Sequence, residues 1–221
     1  MPHLLVIGAG PGIAAATARR LGGDGYDVSL VARREAPLAE LGSTLRADGV
    51  PVRWATADAA VPDELTDATQ GLLDATGPVD VLLYNVSIGR QAGIPELSPE
   101  DLLTDLAAGA VGLQAAVRAV LPGMRERGSG TVLVTGGGSA DRPMTSMATL
   151  GVQKAALRAL AQVQAQALAP EGVHVATVTI RGLVGEDRQI TPERIADLYA
   201  ELVAETAGPR ENWRSVVDVV P

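Results

Sequence analysis

Seven short apolar runs, separated by segments of helical pattern, span the chain from end to end. The runs are His3–Ile7, Asp27–Ala32, Val52–Thr56, Val79–Tyr84, Thr131–Thr135, Val173–Ile180 and Trp213–Val220. Runs of this length that are apolar throughout read as strands buried on both faces. Helical segments between them predict crossover connections, and hence a parallel sheet covered on both sides. The helices are expected at Ile13–Leu21, Ala36–Ala47, Pro62–Ala75, Ser98–Arg127 with a break near Gly109, Ala148–Leu168, and Thr191–Thr206. Ser98-Pro99-Glu100-Asp101 has the form of a capped helix start. No linker or compositional shift divides residues 1–221, so one domain is expected.

Composition narrows the functional classes. The formal net charge is −8, and no run of Lys or Arg exceeds two residues. A nucleic-acid binder needs a basic stripe, so that class is set aside. Cysteine is absent, which removes disulfides and thiolate chemistry. His3 and His174 are the two histidines, each at a strand edge, and too few for a histidine-rich metal site. No metal is expected. The most apolar helix, near Ala107–Val120, is interrupted by Gln114 and Arg118, so no membrane span is expected. Without a signal-peptide pattern, the expected location is the cytoplasm.

The first strand runs into Gly8-Ala9-Gly10-Pro11-Gly12-Ile13-Ala14, which opens directly into a helix. A glycine-rich turn lets backbone N–H groups approach a pyrophosphate, and the helix N-terminus adds partial positive charge. Strand, loop and helix in this order give the motif its required context. A tight turn without a ligand is the alternative. The second strand ends at Ala32-Arg33-Arg34. A carboxylate at this point would bind a ribose 2′-hydroxyl. Two guanidiniums instead suit a 2′-phosphate, so NADP(H) is expected in preference to NAD(H). The fold class is therefore α/β, a Rossmann-type doubly wound parallel sheet of about seven strands.

At this point the chain resembles the short-chain dehydrogenase/reductase family along nearly its whole length. Gly8–Ala14 is similar to the family's Gly-x-x-x-Gly-x-Gly, with Ala14 in place of the last glycine. Asp58-Ala59 resembles the pair that holds the adenine. Tyr84-Asn85-Val86-Ser87 stands where the family has Asn-Asn-Ala-Gly, and only Asn85 is retained. Lys154-Ala155-Ala156-Leu157 fits the helix carrying the family's Tyr-x-x-x-Lys. Ile180-Arg181-Gly182-Leu183-Val184 loosely resembles Pro-Gly-x-Val. The resemblance implies cofactor contacts from Gly8, Gly10, Pro11, Gly12, Ile13, Arg33, Arg34, Asp58, Ala59, Asn85, Val86, Lys154 and Val184. It also implies a homodimer or homotetramer through helices 98–127 and 148–168.

The departures fall on the family's catalytic tetrad. Four residues before Lys154 stands Leu150, where the family has tyrosine. Thirteen residues further back stands Gly137, where it has serine. The helical asparagine falls on Gly109. Lys154 alone is retained. Leucine performs no acid–base chemistry, so the tyrosine mechanism is not expected. Three side chains are candidates to replace it. Lys154 is a candidate acid, though a ribose contact alone explains its presence. Ser139 lies two residues beyond the serine position, but also reads as a loop cap beside Asp141. Tyr84 offers a phenol from the fourth strand, but also reads as space-filling. Gly136–Gly138 is read as a flexible turn in preference to an anion-binding nest.

Only Gly185–Ile190 separates Val184 from the last helix, so the substrate lid is almost absent and the site open. Three functions remain. The first is an atypical NADP(H)-linked oxidoreductase on a small carbonyl, alcohol or activated double bond. The second is a non-redox cyclase, isomerase or lyase on the same scaffold. The third is a non-catalytic NADP(H)-binding protein.

Overall fold

The computed structural model describes residues 1–221. Seven strands form one sheet: β1 (His3–Ile7), β2 (Asp27–Ala32), β3 (Val52–Thr56), β4 (Val81–Tyr84), β5 (Gly130–Gly137), β6 (Val173–Ile180) and β7 (Val216–Val219). Their spatial order is β3-β2-β1-β4-β5-β6-β7, and every pairing is parallel. The order reverses between β1 and β4, where a doubly wound sheet opens a crevice at the carboxyl ends of its strands.

The helices are α1 (Ile13–Gly23), α2 (Glu35–Ala47), α3 (Pro62–Thr76), α4 (Pro99–Leu106), α5 (Gly112–Arg127), α6 (Ala148–Leu168) and α7 (Pro192–Glu205). Alternate residues of β1 show how they divide. Leu4 and Val6 pack into one core with side chains of α1, α2 and α7. Leu5 and Ile7 pack into a second core with α3, α5 and α6. Period-two alternation along a strand buried on both faces produces this arrangement. Ser98 caps α4 by accepting the Asp101 N–H at 3.0 Å, and Thr191 caps α7 by accepting the Arg194 N–H at 3.1 Å.

The expected break in the long helix takes the form of a π-turn at Ala107–Val111, joining α4 to α5. The extra residue widens the helix here and brings Ala108 to the carboxyl end of the sheet. By length and composition, Pro99–Arg127 is apolar enough to cross a membrane, yet 44% of its most apolar window is buried in this fold. The last apolar run is shorter than expected: β7 spans only Val216–Val219, and Trp213–Ser215 lead into it from a helical turn at Arg210–Asn212.

One reading is corrected at β5. Gly136 and Gly137 are not a flexible turn but the last two residues of the strand, paired with Thr179 and Ile180 of β6. A Cβ at Gly136 would lie 2.9 Å from the Val178 carbonyl oxygen, so that glycine serves close strand approach. Neither histidine is free to serve a site. His3 bonds the Ser29 hydroxyl at 2.8 Å beneath the sheet. His174 bonds the Leu202 and Arg214 carbonyls and stacks on Trp213 at 5.0 Å.

Candidate functional site

A cavity of about 230 Å³ opens at the carboxyl ends of β1, β2 and β4. Gly8, Gly10 and Pro11 line it from the first loop, Arg33 and Arg34 from the end of β2, Asp58 and Ala59 from the end of β3, and Asn85 and Val86 from the end of β4. Nine of the residues expected from the sequence are thus brought together. Sequence reading missed Pro37, Ser87, Ile88 and Ala108, which also line it. Ser87 and Ile88 simply continue the Asn85-Val86 segment. Ala108 comes from the π-turn, and only the glycine nearby hinted at a break there.

The glycines of the loop differ in purpose. Gly8 has φ +84°, and a Cβ on it would stand 2.8 Å from the Asn85 carbonyl carbon. Its need is internal. Gly10 and Gly12 have nothing within 4 Å of an added Cβ, so their backbone faces open space. Gly12 caps α1, whose N-terminal amides point to the same side. This geometry fits the pyrophosphate of a dinucleotide.

Arg33 and Arg34 are both exposed, and neither has an ion-pair or hydrogen-bond partner within the chain. No carboxylate stands at the end of β2, where Ala32 precedes them. Asp58 Oδ1 accepts the Ala60 N–H at 2.9 Å, which shapes the turn beside the cavity. Asn85 Nδ2 donates to the Gly8 carbonyl at 3.1 Å, tying the β4 end to the first loop.

Gly12, Ile13, Lys154 and Val184 are not part of this cavity's wall. Ile13 and Val184 pack against the first core. Val184 also pairs with Ile190 in an isolated bridge, closing the short Gly185–Gln189 turn.

Lys154 lies beyond the cavity on α6. It is the chain's only lysine. Its Nζ donates to the Thr135 carbonyl at 2.8 Å and the Val86 carbonyl at 3.2 Å. Burial pushes its amine down to about 8, with no charged side chain contributing. Ser139 is half-buried on a helical turn at Gly138–Ala140. A Cβ built on Gly137 would stand 3.7 Å from Ser139 Oγ and 3.6 Å from Lys154 Cγ. Both candidate side chains therefore converge on the space at position 137. Leu150, half-buried, opens no acid–base route from its own position.

Tyr84 does not belong to this site. It is fully buried, packs in the second core, and its hydroxyl donates to the Ala108 carbonyl. A Cβ at Gly112 would collide with that hydroxyl, so α5 closes over it. Burial raises its ionisation far beyond the ordinary phenol range. The phenol satisfies a carbonyl of the π-turn and is unavailable to a substrate. Its side chain follows from β4 register, since Leu83 and Tyr84 must face opposite sides.

The rim near Ser139 is held by ion pairs. Asp141 takes a two-pronged contact from Arg158 of α6 at 2.7 and 2.9 Å, and one from Arg181 at 2.9 Å. These guanidiniums, Arg158 foremost, hold the Asp141 carboxyl down at about 2. Arg181 also reaches Asp218 of β7 at 3.0 Å.

The short-chain dehydrogenase model matches residues 2–186. The chain belongs to the short-chain dehydrogenase family. An uncharacterised oxidoreductase of Staphylococcus epidermidis is 27% identical over 203 residues, covering 87% of this chain and 86% of the relative. A 3-dehydrosphinganine reductase of Arabidopsis thaliana is 31% identical over 179 residues, covering 78% of this chain and 52% of the relative. Among solved structures, a metagenomic short-chain oxidoreductase in complex with NADP superposes with a TM-score of 0.89 at 28% identity, covering 100% of this chain and 97% of that one. A short-chain dehydrogenase of Rhodopseudomonas palustris gives 0.86 at 26% identity, with 100% and 98% covered.

Proposed function

We propose that this family member is an NADP(H)-linked oxidoreductase acting on a small carbonyl, alcohol or activated double bond, without a tyrosine proton donor. The observation that carries this reading is the pair of unpartnered guanidiniums, Arg33 and Arg34, on the cavity beside the glycine loop, with no carboxylate at the end of β2. The neighbour at 28% identity that holds NADP supports it.

Bound NADP(H) supplies or accepts the hydride. The chain's own residues do the rest. Gly10, Gly12 and the α1 N-terminus receive the pyrophosphate, with Pro11 and Ile13 shaping the turn. Arg33 and Arg34 take the 2′-phosphate, Asp58 and Ala59 flank the adenine, and Asn85 and Val86 form the inner wall. Val184 backs the far end. Lys154, beyond the cavity wall, would hold the nicotinamide ribose of a cofactor that extends past Val86. Its ammonium, with an ionisation near 8, carries the proton that a developing alkoxide needs. Ser139 Oγ, facing the space at position 137, polarises the carbonyl.

Calorimetric titration with NADPH, NADP⁺, NADH and NAD⁺ tests the reading. Selective binding of the phosphorylated pair is expected. Arg33→Ala should weaken NADPH by about tenfold or more, since a charge-assisted hydrogen bond contributes roughly 1.5–3 kcal/mol, and leave NADH unchanged. Lys154→Ala should abolish turnover. No binding of any of the four would overturn it.

A second reading has its own support, the absence of a hydroxyl at both position 137 and position 150. It is a non-redox isomerase, cyclase or lyase, marked by turnover without change in NADPH absorbance. A cytoplasmic homodimer or homotetramer completes the proposal. The exposed Leu103, Val111, Val152 and Val163 on the 98–127 and 148–168 helices favour self-association, and sedimentation measures it.

A further inference from the structure

A line of mostly buried polar side chains runs from Arg90 to the Val86–Ile88 wall of the cavity, and no step proposed above uses it. It starts at Arg90, whose Nε and Nη2 hold the two oxygens of Asp105 at 2.9 Å each, while Nη1 meets Asp101 at 2.8 Å. The Asp105 side chain is fully buried. Arg90 foremost, with Thr149 of α6 close by, holds this carboxylate below the usual range against the opposing effect of burial. Thr149 Oγ1 accepts from Gln153 Nε2 at 3.3 Å. Gln153, also fully buried, then clasps the backbone of a single residue, Ile88, with both ends of its amide. Its Oε1 accepts the Ile88 N–H at 3.0 Å, and its Nε2 donates to the Ile88 carbonyl at 3.0 Å.

The next residue along α6 is Lys154, which grips the same segment two residues earlier, through the Val86 carbonyl. Two consecutive side chains of one helix therefore strap down Val86–Ile88, the stretch that lines the cavity. The room for this comes from Gly109. A Cβ there would stand 2.6 Å from Gln153 Cγ and 2.8 Å from both its Cβ and its Oε1. Any side chain at 109 would displace the Gln153 amide. The glycine on the π-turn and the glutamine on α6 are complementary halves of one contact.

We propose that Gln153 is a positioning residue: its amide, seated in the space that Gly109 leaves, fixes the Val86–Ile88 wall of the cavity and, through the Val86 carbonyl, the place of the Lys154 amine. The consequence for turnover rests on the NADP(H) reading of the same cavity. The π-turn supplies no amide side chain of its own, since position 109 is glycine. A family member whose resemblance places an asparagine at 109 has here the same functional group delivered from the opposite helix.

The test exploits Lys154 as the only lysine. Labelling with ¹⁵N-lysine gives a single side-chain signal in the full chain. Its titration is followed by NMR, without cofactor, in the wild type, Gln153→Leu, Gly109→Asn and the double variant Gly109→Asn/Gln153→Gly, which also removes the Gln153 Cβ. In Gln153→Leu the freed segment admits water, and the Lys154 midpoint should rise by about one pH unit or more, a tenfold change in proton affinity. Gly109→Asn alone should act likewise by displacing Gln153. The double variant, with its amide returned from the π-turn, should recover the wild-type midpoint. Calorimetry on the same samples should show NADPH binding lost by tenfold in the singles and regained in the double.

An unmoved midpoint in Gln153→Leu, or a double variant no better than the singles, overturns the assignment. Should Gln153→Leu fail to fold, Thr149→Val removes the hydroxyl that steadies Nε2. The same upward shift is then expected, and an unchanged midpoint is equally fatal. A wild type that binds no NADPH overturns the cofactor reading alone, since the lysine titration needs no cofactor.

Discussion

Gly8 and Asn85 hold each other across the β1–β4 reversal: Asn85 Nδ2 donates to the Gly8 carbonyl at 3.1 Å, and a Cβ on Gly8 would sit 2.8 Å from the Asn85 backbone. The first glycine of the loop is thus required by the neighbouring strand. Gly8→Ala combines that clash with a φ of +84°. It should destabilise the fold by about 2 kcal/mol or more. Gly10→Ala meets nothing within 4 Å and should leave stability unchanged, while lowering NADPH affinity. Urea denaturation and calorimetry on the two variants separate these roles.

Tyr84→Phe removes only the hydroxyl that satisfies the Ala108 carbonyl. Leaving a buried carbonyl without its donor costs about 1–3 kcal/mol. Turnover should survive, since the phenol faces α5 and not the cavity. A catalytic phenol would instead show a large fall in kcat with stability intact.

Lys154 links protonation to folding. Its amine is held at about 8 in the folded chain against an ordinary 10.5. Between these values the unfolded chain binds a proton that the folded one does not, so stability rises with pH. The penalty is fully present below pH 8 and gone above 10.5. Relative to Lys154→Met, the wild type should gain up to about 3 kcal/mol across that window. Denaturation of both proteins at pH 7 and pH 10.5 measures the difference. Equal slopes for the two would contradict a desolvated amine.

Position 137 has room for a side chain, whereas position 109 does not. A Cβ at 137 meets nothing closer than 3.6 Å. Gly137→Ser with Leu150→Tyr should therefore fold and raise carbonyl reduction by about 10²–10⁴-fold, the usual contribution of a placed proton donor. A rate unchanged by both substitutions would mean that the site does not present a carbonyl there.

The strand and helix pattern was legible because every buried strand is a short apolar run, and because Ser98 and Thr191 mark their helices with conventional caps. The loop, Arg33, Asp58 and Asn85 were legible through context in the chain, since all sit at strand ends. What sequence alone missed depends on contacts between distant residues. Gln153 reads as a polar position on an alanine-rich helix, and its partner Ile88 lies 65 residues away. Tyr84 has two readings in the sequence, a phenol donor and a space-filler, and only the closure of α5 over it selects the second. Gly136 looked like a turn because a glycine run does not reveal that β6 lies against it.

The rim around Ser139 has one further consequence. Asp141 is tied to Arg158 and Arg181, Arg181 is tied to Asp218, and the turn after Val184 closes within a few residues at Ile190. The turn after Val184 is too short to fold down on an occupant. Discrimination has to be made at the doorway, by what fits a fixed outline, with no later tightening to correct a poor match. On the oxidoreductase reading, product would depart without waiting for a cover to lift, and turnover would be set by chemistry or cofactor exchange.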